Sequence, residues 1–424
     1  MSDPLRTPPL QGAPLQRPNR KNPVVATRLP KEPPSARSRA ALGLTAAAAY
    51  GRFELQVCAA CAAVQYPPRE ACHQCLSTAL VWQPQDGAGT LMTETLVRHS
   101  LELFFRERAP WRVGMVRLAA GPTVVAYLHA DCPPPPAAVR VEAALDRAGQ
   151  AVLVALPAES RSRLADDPKL RDMTCDPRFR KVLVTDAKSP VGQAVVKAVV
   201  AAGADLVWAG YAEPWKKVPG FDALADIPQV APIPLDVTDS HSVRDTAGEI
   251  GFKVDILINT AGYHRTFGIS GRAGVETAQA EMEVNYTGLL RLAQEFGPVM
   301  RARGADGQSS AVAWVNLLSI YALSNFPPHG TYSASKAAAL SLSQALRAEM
   351  RSSGVRVVNL FPGPIDHEWN QMLLPPKLSP GAVASAVVGA LQGSVEDVFP
   401  GDVAQEWLAR WRENPKGLER ELSM

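Results

Sequence analysis

Four cysteines stand in two close pairs, Cys58-Ala-Ala-Cys61 and Cys72-His-Gln-Cys75, with ten residues between the pairs. Each pair lets neighbouring backbone amides turn around one metal ion. Four thiolates complete a tetrahedral Zn²⁺ shell and leave no open position, so the spacing predicts a structural zinc on Cys58, Cys61, Cys72 and Cys75. His73, inside the second pair, is read as facing solvent, and Cys132 and Cys175 as ordinary thiols. A second set of reactive side chains lies in the other half of the chain. Tyr332 and Lys336 are four residues apart in Tyr-Ser-Ala-Ser-Lys, which puts both on one face of a helix. Ser319 precedes Tyr332 by thirteen residues, at the end of an apolar strand. A free phenol, with a pKa of about 10, is a poor base near neutrality, and an adjacent ammonium lowers it. Such a pair is suited to moving a hydroxyl proton.

The elements that must position these groups divide the chain. Its 424 residues argue for two or three domains. Residues 1–40 hold nine of the 37 prolines, eight basic residues and only Asp3 and Glu32 as acids, which reads as a disordered, basic, Pro-rich tail. An Ala-rich helix is predicted from Ala40 to about Gly51, ahead of the cysteines. The runs Thr90–Arg98, Val113–Leu118, Thr123–His129 and Ala151–Leu156 alternate with Gly and Pro and read as a small β-barrel, so that 41–157 form one domain. Residues 158–180 are charged, lack a sustained apolar face and read as a linker. From Lys181 to the end, 181–424, apolar strands alternate with Ala-rich helices: Val182–Thr185, Gly192–Ala202, Leu206–Ala209, Ile256–Asn259, Val312–Leu318, Tyr332–Arg351 and Val355–Leu360. Such βα alternation predicts an α/β domain, a doubly wound parallel sheet with helices on both faces.

Bulk composition excludes several classes. Lys+Arg 44 against Asp+Glu 41, with 46% apolar residues, is neither a disordered nor a strongly basic chain. Between Asp86 and Pro157 seven Arg and no Lys face seven acids, a poor basis for a nucleic-acid groove. The long uncharged stretch Ser309–Ser335 carries Asn316, Asn325, Pro327 and Pro328, so no membrane span is expected. No apolar leader follows a basic start, and six cysteines are few for a disulfide scaffold; a reducing, cytoplasmic location is the expectation.

The order helix, four-cysteine ribbon and small barrel over about residues 40–157, with Tyr66-Pro67-Pro68-Arg69 and Pro110-Trp111, resembles the rubredoxin-like zinc ribbon plus OB-fold family that accompanies acyl-CoA enzymes. The resemblance implies a module that handles acyl-CoA or docks a partner enzyme; single-stranded nucleic acid is the weaker alternative for an OB-fold.

The second half resembles the short-chain dehydrogenase/reductase family, and this implies a Rossmann-type sheet. Thr185-Asp186-Ala187-Lys188-Ser189-Pro190-Val191-Gly192 stands where that family has Thr-Gly-x-x-x-Gly-x-Gly; Thr185 and Gly192 match, while Asp186 and Pro190 replace the first two glycines. Leu235-Asp236-Val237 matches the segment bordering the adenine. Asn259-Thr260-Ala261-Gly262 matches the Asn-Asn-Ala-Gly turn except at Thr260. Pro362-Gly363-Pro364-Ile365-Asp366 resembles the loop beside the nicotinamide. The expected cofactor residues are therefore Thr185, Lys188, Val191, Gly192, Asp236, Val237, Asn259, Ala261, Gly262, Tyr332, Lys336, Pro362, Gly363 and Ile365. By the same resemblance Tyr332 is the acid/base, Lys336 shifts it and holds the ribose, Ser319 binds the substrate oxygen, and Asn285, in Val-Asn-Tyr-Thr-Gly, steadies a proton-relay water. NAD or NADP is implied; Gly210 occupies the discriminating place after Leu206–Ala209, and the lack of an arginine there tips the reading to NAD. His264, His329 and His367 lie near these loops and are read as solvated or structural. His367 takes the place of a common Thr, and the short stretch to Pro380 suggests an open loop.

The combined expectation is a zinc-ribbon/OB module fused to an NAD(P)-dependent oxidoreductase that interconverts a hydroxyl and a keto group, with an acyl-CoA-type thioester as substrate and a homo-oligomeric assembly. The competing reading, prompted by Asp186 and Pro190, is a dehydrogenase-like scaffold that binds acyl-CoA or partner enzymes without hydride transfer.

Overall fold

The structure is a computed structural model that describes residues 32–35, 38–159, 162–304 and 310–423, so most of the predicted tail lies outside the described residues. The chain forms two compact units: one runs through Thr174 and takes in Gln392–Val395, the other comprises Cys175–Leu391 with the chain from Glu396.

In the first unit, helix α1 (Leu42–Ala49) leads into β1 (Glu54–Cys58), which pairs antiparallel with β2 (Val64–Gln65) and β3 (Leu80–Pro84). A closed barrel follows in the order β4-β5-β6-β8-β7, built from β4 (Ala88–Val97), β5 (Trp111–Leu118), β6 (Thr123–Leu128), β7 (Ala137–Leu145) and β8 (Ala151–Pro157). Closure pairs every strand on both sides, and the interior is filled by Leu91, Val116, Val124, Val139 and Leu153. Gly114 is required there, because a Cβ would stand 2.5 Å from the Leu91 side chain. The sequence runs found four of the five strands. They miss β7 because it follows four prolines and is rich in Ala, a residue depleted in strands.

The charged stretch 158–180 is packed rather than extended. It makes two short 3₁₀ turns, Leu164–Asp166 and Leu170–Met173, and buries Leu164, Leu170 and Met173 against Phe104, Trp111 and Val154. Asp167 ties the turns together by accepting from the amides of Ala130, Lys169 and Leu170. Three apolar residues at irregular spacing leave no periodicity for a sequence reading to detect.

The second unit is a parallel sheet in the order β11-β10-β9-β12-β13-β14-β15. Its strands are β9 (Lys181–Val184), β10 (Leu206–Tyr211), β11 (Val230–Pro234), β12 (Ile256–Asn259), β13 (Ala313–Leu317), β14 (Arg356–Leu360) and β15 (Asp397–Val398). Buried on both faces, β12 carries no charged residue and β14 only Arg356 at its start, where they cross the core around Trp314, Phe296 and Leu257. The strand order reverses between β9 and β12, the place where a doubly wound sheet opens a crevice for ligand. Strand β10 continues beyond the predicted Ala209, so Gly210 lies inside it. A Cβ there would come within 2.7 Å of the Thr185 carbonyl oxygen, which explains glycine and leaves Tyr211, not Gly210, as the strand's last residue.

Candidate active site

At the crevice, Thr185 knits the ends of β9 and β12. Its hydroxyl donates to Asn259 Oδ1 (2.9 Å) and accepts from the amides of Thr260 and Ala261. Thr260 adds a brace, its hydroxyl donating to the Asp186 carbonyl and accepting from the Asp186 amide. The loop then enters α3 (Pro190–Ala201), capped by Ser189, whose hydroxyl accepts from the Gly192 amide at 3.1 Å. Pro190 in the first turn costs no hydrogen bond. A Cβ on Gly192 would stand 1.7 Å from the Asp186 carbonyl oxygen, so only glycine lets helix and loop meet.

The two departures from the glycine pattern have a local account. Asp186 Oδ1 accepts from the amides of Lys188 (3.1 Å) and Ser189 (3.3 Å), folding the carboxylate back into its own loop. Burial raises the Asp186 carboxyl above the usual carboxylate range, against those hydrogen bonds and Lys188. Lys188 is committed elsewhere: its ammonium donates to the carbonyls of Ala212, Glu213 and Lys216 and lies over the Tyr211 ring. Among the described residues the Val191 amide has no partner, which keeps one donor at the helix N-terminus for an anion. Val237 is buried beside Gly288, and Asp236 caps its own turn by accepting from Thr238. Across the crevice, the Pro362 carbonyl accepts from Ile320, a Cβ on Gly363 would press on Val403, and the Ile365 carbonyl accepts from Asn370.

The residues expected to handle the proton come from three elements. Ser319 lies two residues past β13 and accepts from the Tyr321 amide, and its hydroxyl acts to lower the phenol of Tyr332 on α8 (Gly330–Met350), against the burial that raises it. One turn on, Lys336 donates to the Leu317 carbonyl at 3.0 Å, its ammonium 5.7 Å from the Tyr332 ring centroid. Burial pushes the Tyr332 phenol up and brings the Lys336 ammonium down to about 8. Asn285 sits in a π-helical turn, Glu283–Thr287, between α6 (Glu276–Met282) and α7 (Gly288–Gly304). That extra residue per turn lets its amide clamp the backbone of Tyr263 through both N–H and C=O, and donate to Ser335. Gly262 lies between Asn285 Oδ1 and Lys336 Nζ, where its missing Cβ would stand 3.7 and 3.8 Å from them.

Two features escaped the sequence reading. His264, His329 and His367, read as solvated or structural, come from three separate segments and gather at His264, with His264 and His329 also packing against the Tyr332 ring. His264 lies 4.2 Å from the Tyr332 ring, 4.5 Å from His329 and 5.4 Å from His367, centroid to centroid. Burial, then the neighbouring imidazoles, hold His264 and His329 well below the usual histidine range, so both are neutral. Glu281 is fully buried, its Oε1 accepting from the Arg265 amide, and burial raises its carboxyl. Sequence separation hides the cluster: the first two histidines are 65 positions apart.

The four cysteines gather in the first unit as predicted, with all four sulfurs within 4.8 Å of one another. Cys58 and Cys75, like Cys61 and Cys72, are 3.6 Å apart, close to the ~3.8 Å edge of a tetrahedron with Zn–S bonds of about 2.3 Å. The backbone amides of Cys75 and Gln74 bring the Cys72 thiol down to about 6 while the neighbouring sulfurs push Cys61 up to about 12, so without a cation among them the four thiols do not all ionise. The donor set therefore fits a structural zinc.

Comparison with known proteins agrees with both halves. Residues 180–376 match the short chain dehydrogenase family model, 82–150 the ChsH2 C-terminal OB-fold domain, and 45–81 the ChsH2 rubredoxin-like zinc ribbon domain. A short chain dehydrogenase from Burkholderia cenocepacia J2315, solved in complex with NADP, is 32% identical with a TM-score of 0.53, covering 59% of this chain and 99% of that one. An uncharacterized oxidoreductase of Staphylococcus haemolyticus is 28% identical over 218 residues, 50% of this chain and 90% of its own length. One from Staphylococcus aureus strain USA300 is 29% identical over 215 residues, 49% and 89%. Through its carboxy-terminal domain the chain belongs to the short-chain dehydrogenase family, a class of NAD(P)-dependent oxidoreductases. Its particular form joins that domain to an amino-terminal ChsH2-type zinc ribbon and OB-fold. Among the described residues no helix is long and apolar enough to cross a membrane.

Proposed function

We propose that the protein reduces a keto group, or oxidises the corresponding hydroxyl, on an acyl-CoA-type thioester, with Tyr332 as the acid/base. The observation that carries this reading is the Lys336 ammonium, 5.7 Å from the Tyr332 ring one helical turn away and anchored on the Leu317 carbonyl two residues before Ser319, at the crevice where the strand order reverses. The dinucleotide, when bound, supplies or takes the hydride. Val191, Gly192, Gly262, Gly363 and Lys336 are the residues placed to hold it. In reduction, Tyr332 breaks its O–H bond as the proton passes to the substrate oxygen, and Ser319 hydrogen-bonds that oxygen. Lys336 stabilises the phenolate left behind. A phenol raised by burial is protonated before the step, as a proton donor must be.

The thioester assignment draws on the OB-fold resemblance and on the loops flanking the crevice. Ile269, Met372 and Leu374 are 83%, 88% and 86% exposed, and the two loops are tied where Thr266 donates to the Trp369 carbonyl. Apolar side chains on tied loops suit an acyl chain. A cytoplasmic setting agrees with six cysteines none of which is in a disulfide.

The scaffold reading draws on Asp186, whose carboxylate takes two loop amides that would otherwise meet a pyrophosphate. Titration with NADH and NADPH, followed by fluorescence, separates the two. Binding of either, with turnover that falls by about 10²–10⁴-fold in Tyr332→Phe at little change in cofactor affinity, is expected for the enzyme. Reductive turnover should also decline as pH rises through Lys336's value of about 8, because the ammonium is lost. No binding of either cofactor at millimolar concentration would leave the scaffold.

A further inference from the structure

Two imidazoles beside an acid/base tyrosine, His264 and His329, with His367 packed against His264, are more than the reaction needs, and their hydrogen bonds distinguish them. His367 Nδ1 accepts from the Trp369 amide, and its Nε2 pairs with Asn370 at 3.2 Å, so both of its nitrogens are engaged in holding the loop after β14. His329 is fully buried, enclosed by Tyr321, Phe326 and His264, and its Nδ1 lies 3.1 Å from His264 Nε2. Its other nitrogen, Nε2, is buried and has no partner among the described residues.

That orphan settles the tautomers by hydrogen-bond economy. One hydrogen is shared between His329 Nδ1 and His264 Nε2. If His264 donated it, His329 would carry its own hydrogen on Nε2 as a buried N–H with no acceptor, the rarer and costlier defect. If His329 donates it, Nε2 is left as a bare acceptor and the defect is smaller. His264 then accepts at Nε2 and carries its hydrogen on Nδ1. Among the described residues nothing accepts from His264 Nδ1, and the side chain is only half-buried. The result is a neutral N–H donor, held in one orientation by its neighbour, on a ring 4.2 Å from that of Tyr332.

We propose that His264 is a specificity-determining residue that donates from Nδ1 to a second oxygen of the substrate, β to the carbonyl that Tyr332 addresses, and that His329 is the positioning residue that fixes its tautomer. This rests on the hydride-transfer reading and narrows its substrate class to β-keto thioesters and their β-hydroxy counterparts. Two adjacent rings carrying hydroxyl and N–H donors match two oxygens separated by a three-carbon unit. A neutral donor also favours a carbonyl over a carboxylate, since it offers no charge to an anion.

The test compares a β-keto acyl thioester of N-acetylcysteamine with the analogue in which a methylene replaces the thioester carbonyl, using the full chain with NADH and NADPH. Wild type is expected to prefer the thioester by about tenfold or more in kcat/KM, because the analogue leaves the donor unpaired. His264→Phe should bring that ratio close to one, mainly through KM, and His264→Gln, which keeps an N–H donor, should recover part of it. His329→Leu should lower the ratio by a smaller factor. Taking a ratio cancels any general damage to Tyr332, and His264→Ala reads the same ratio if the Phe variant fails to fold. A ratio unchanged in His264→Phe or His264→Ala, or a wild type with no preference between the two ketones, overturns the proposal alone. A wild type that binds cofactor tightly but reduces neither ketone, or one that binds no cofactor, overturns the hydride-transfer reading and this proposal with it.

Discussion

The cysteine cluster and the catalytic corner solve the same problem, holding four polar groups at fixed separations, by opposite means. The cysteines come from an eighteen-residue segment folded into two like turns, in which Ala62 and Leu76 each donate an amide back to the first cysteine of their pair. Two of the four, Cys61 and Cys75, are exposed, and among the described residues the buried cluster holding Cys58 and Cys72 adds just Ala63, with Leu80 packed against it. Ser319, Tyr332, Lys336 and Asn285 instead span residues 285–336 and stand on the rim of a core that includes Trp314, Phe296 and Leu257. One site therefore depends on its ligand for rigidity, whereas the other is preorganised by packing before any ligand arrives.

Removing the metal should separate the two most strongly. Apparent binding energies of about 10–16 kcal/mol are typical of structural zinc in small modules, because metal binding and folding are linked. Chelation, or Cys72→Ser, is expected to abolish the cooperative unfolding transition of the first unit and leave that of the second. Elemental analysis near one zinc per chain, paired with differential scanning calorimetry, checks this; loss of both transitions together would mean that the two sites are not independent.

A smaller effect is expected at the phosphate loop. Asp186→Asn keeps an acceptor for the Lys188 and Ser189 amides and removes a negative charge next to a pyrophosphate. At about 1 kcal/mol for such a repulsion, NAD(P)H should bind about fivefold more tightly at low salt, and the gain should shrink as salt screens the charge. Burial raises the wild-type carboxyl, so lowering pH through its shifted value neutralises it and should tighten wild-type binding while leaving Asp186→Asn flat. Weaker binding in Asp186→Asn, measured by isothermal titration, would show that the charge itself holds the loop together.

The smallest change tests the metal-dependent turns directly. Ala62 (φ 59°) and Leu76 (φ 62°) are non-glycine residues in the left-handed region, and Leu76 is 78% exposed, so its side chain holds little. Leu76→Gly relieves a left-handed strain of about 1–2 kcal/mol, partly offset by glycine's greater freedom when unfolded. The first unit's melting temperature should rise by a few degrees without any effect on cofactor affinity; an unchanged or lower value would place a packing role on Leu76.

Much of this organisation was legible because its signals are local. The CxxC pairs, the Tyr332/Lys336 spacing and the alternation of Val182–Thr185 with the helix after Gly192 each depend on residues within one turn or one strand. What was lost is equally specific. Strand β7 was hidden by its alanines, the end of β10 by Gly210, and the packing of Leu164, Leu170 and Met173 by irregular spacing. Lys188 is expected at the cofactor as the charge that offsets Asp186, whereas in the structure the carbonyls of Ala212, Glu213 and Lys216, beyond β10, hold its ammonium, a competition no pattern displays. Asn285 was assigned to a relay water, and its amide is seen clamping Tyr263, an interaction made possible by a π-helical turn with no sequence mark of its own.

From its sequence alone this chain determined its architecture, its four sulfur ligands and the identity of the serine, tyrosine, lysine and asparagine that meet at the crevice, because backbone periodicity and short-range spacing are encoded residue by residue. Only the tertiary structure decided that Asp186 would spend its carboxylate on its own loop, that Glu281 would be buried, and that His264 and His329 would pack on Tyr332 with His367 against His264. Those outcomes depend on which loops the parallel sheet brings to one edge and on which hydrogen bonds remain once water is excluded, and both are properties of the packed core rather than of any segment within it.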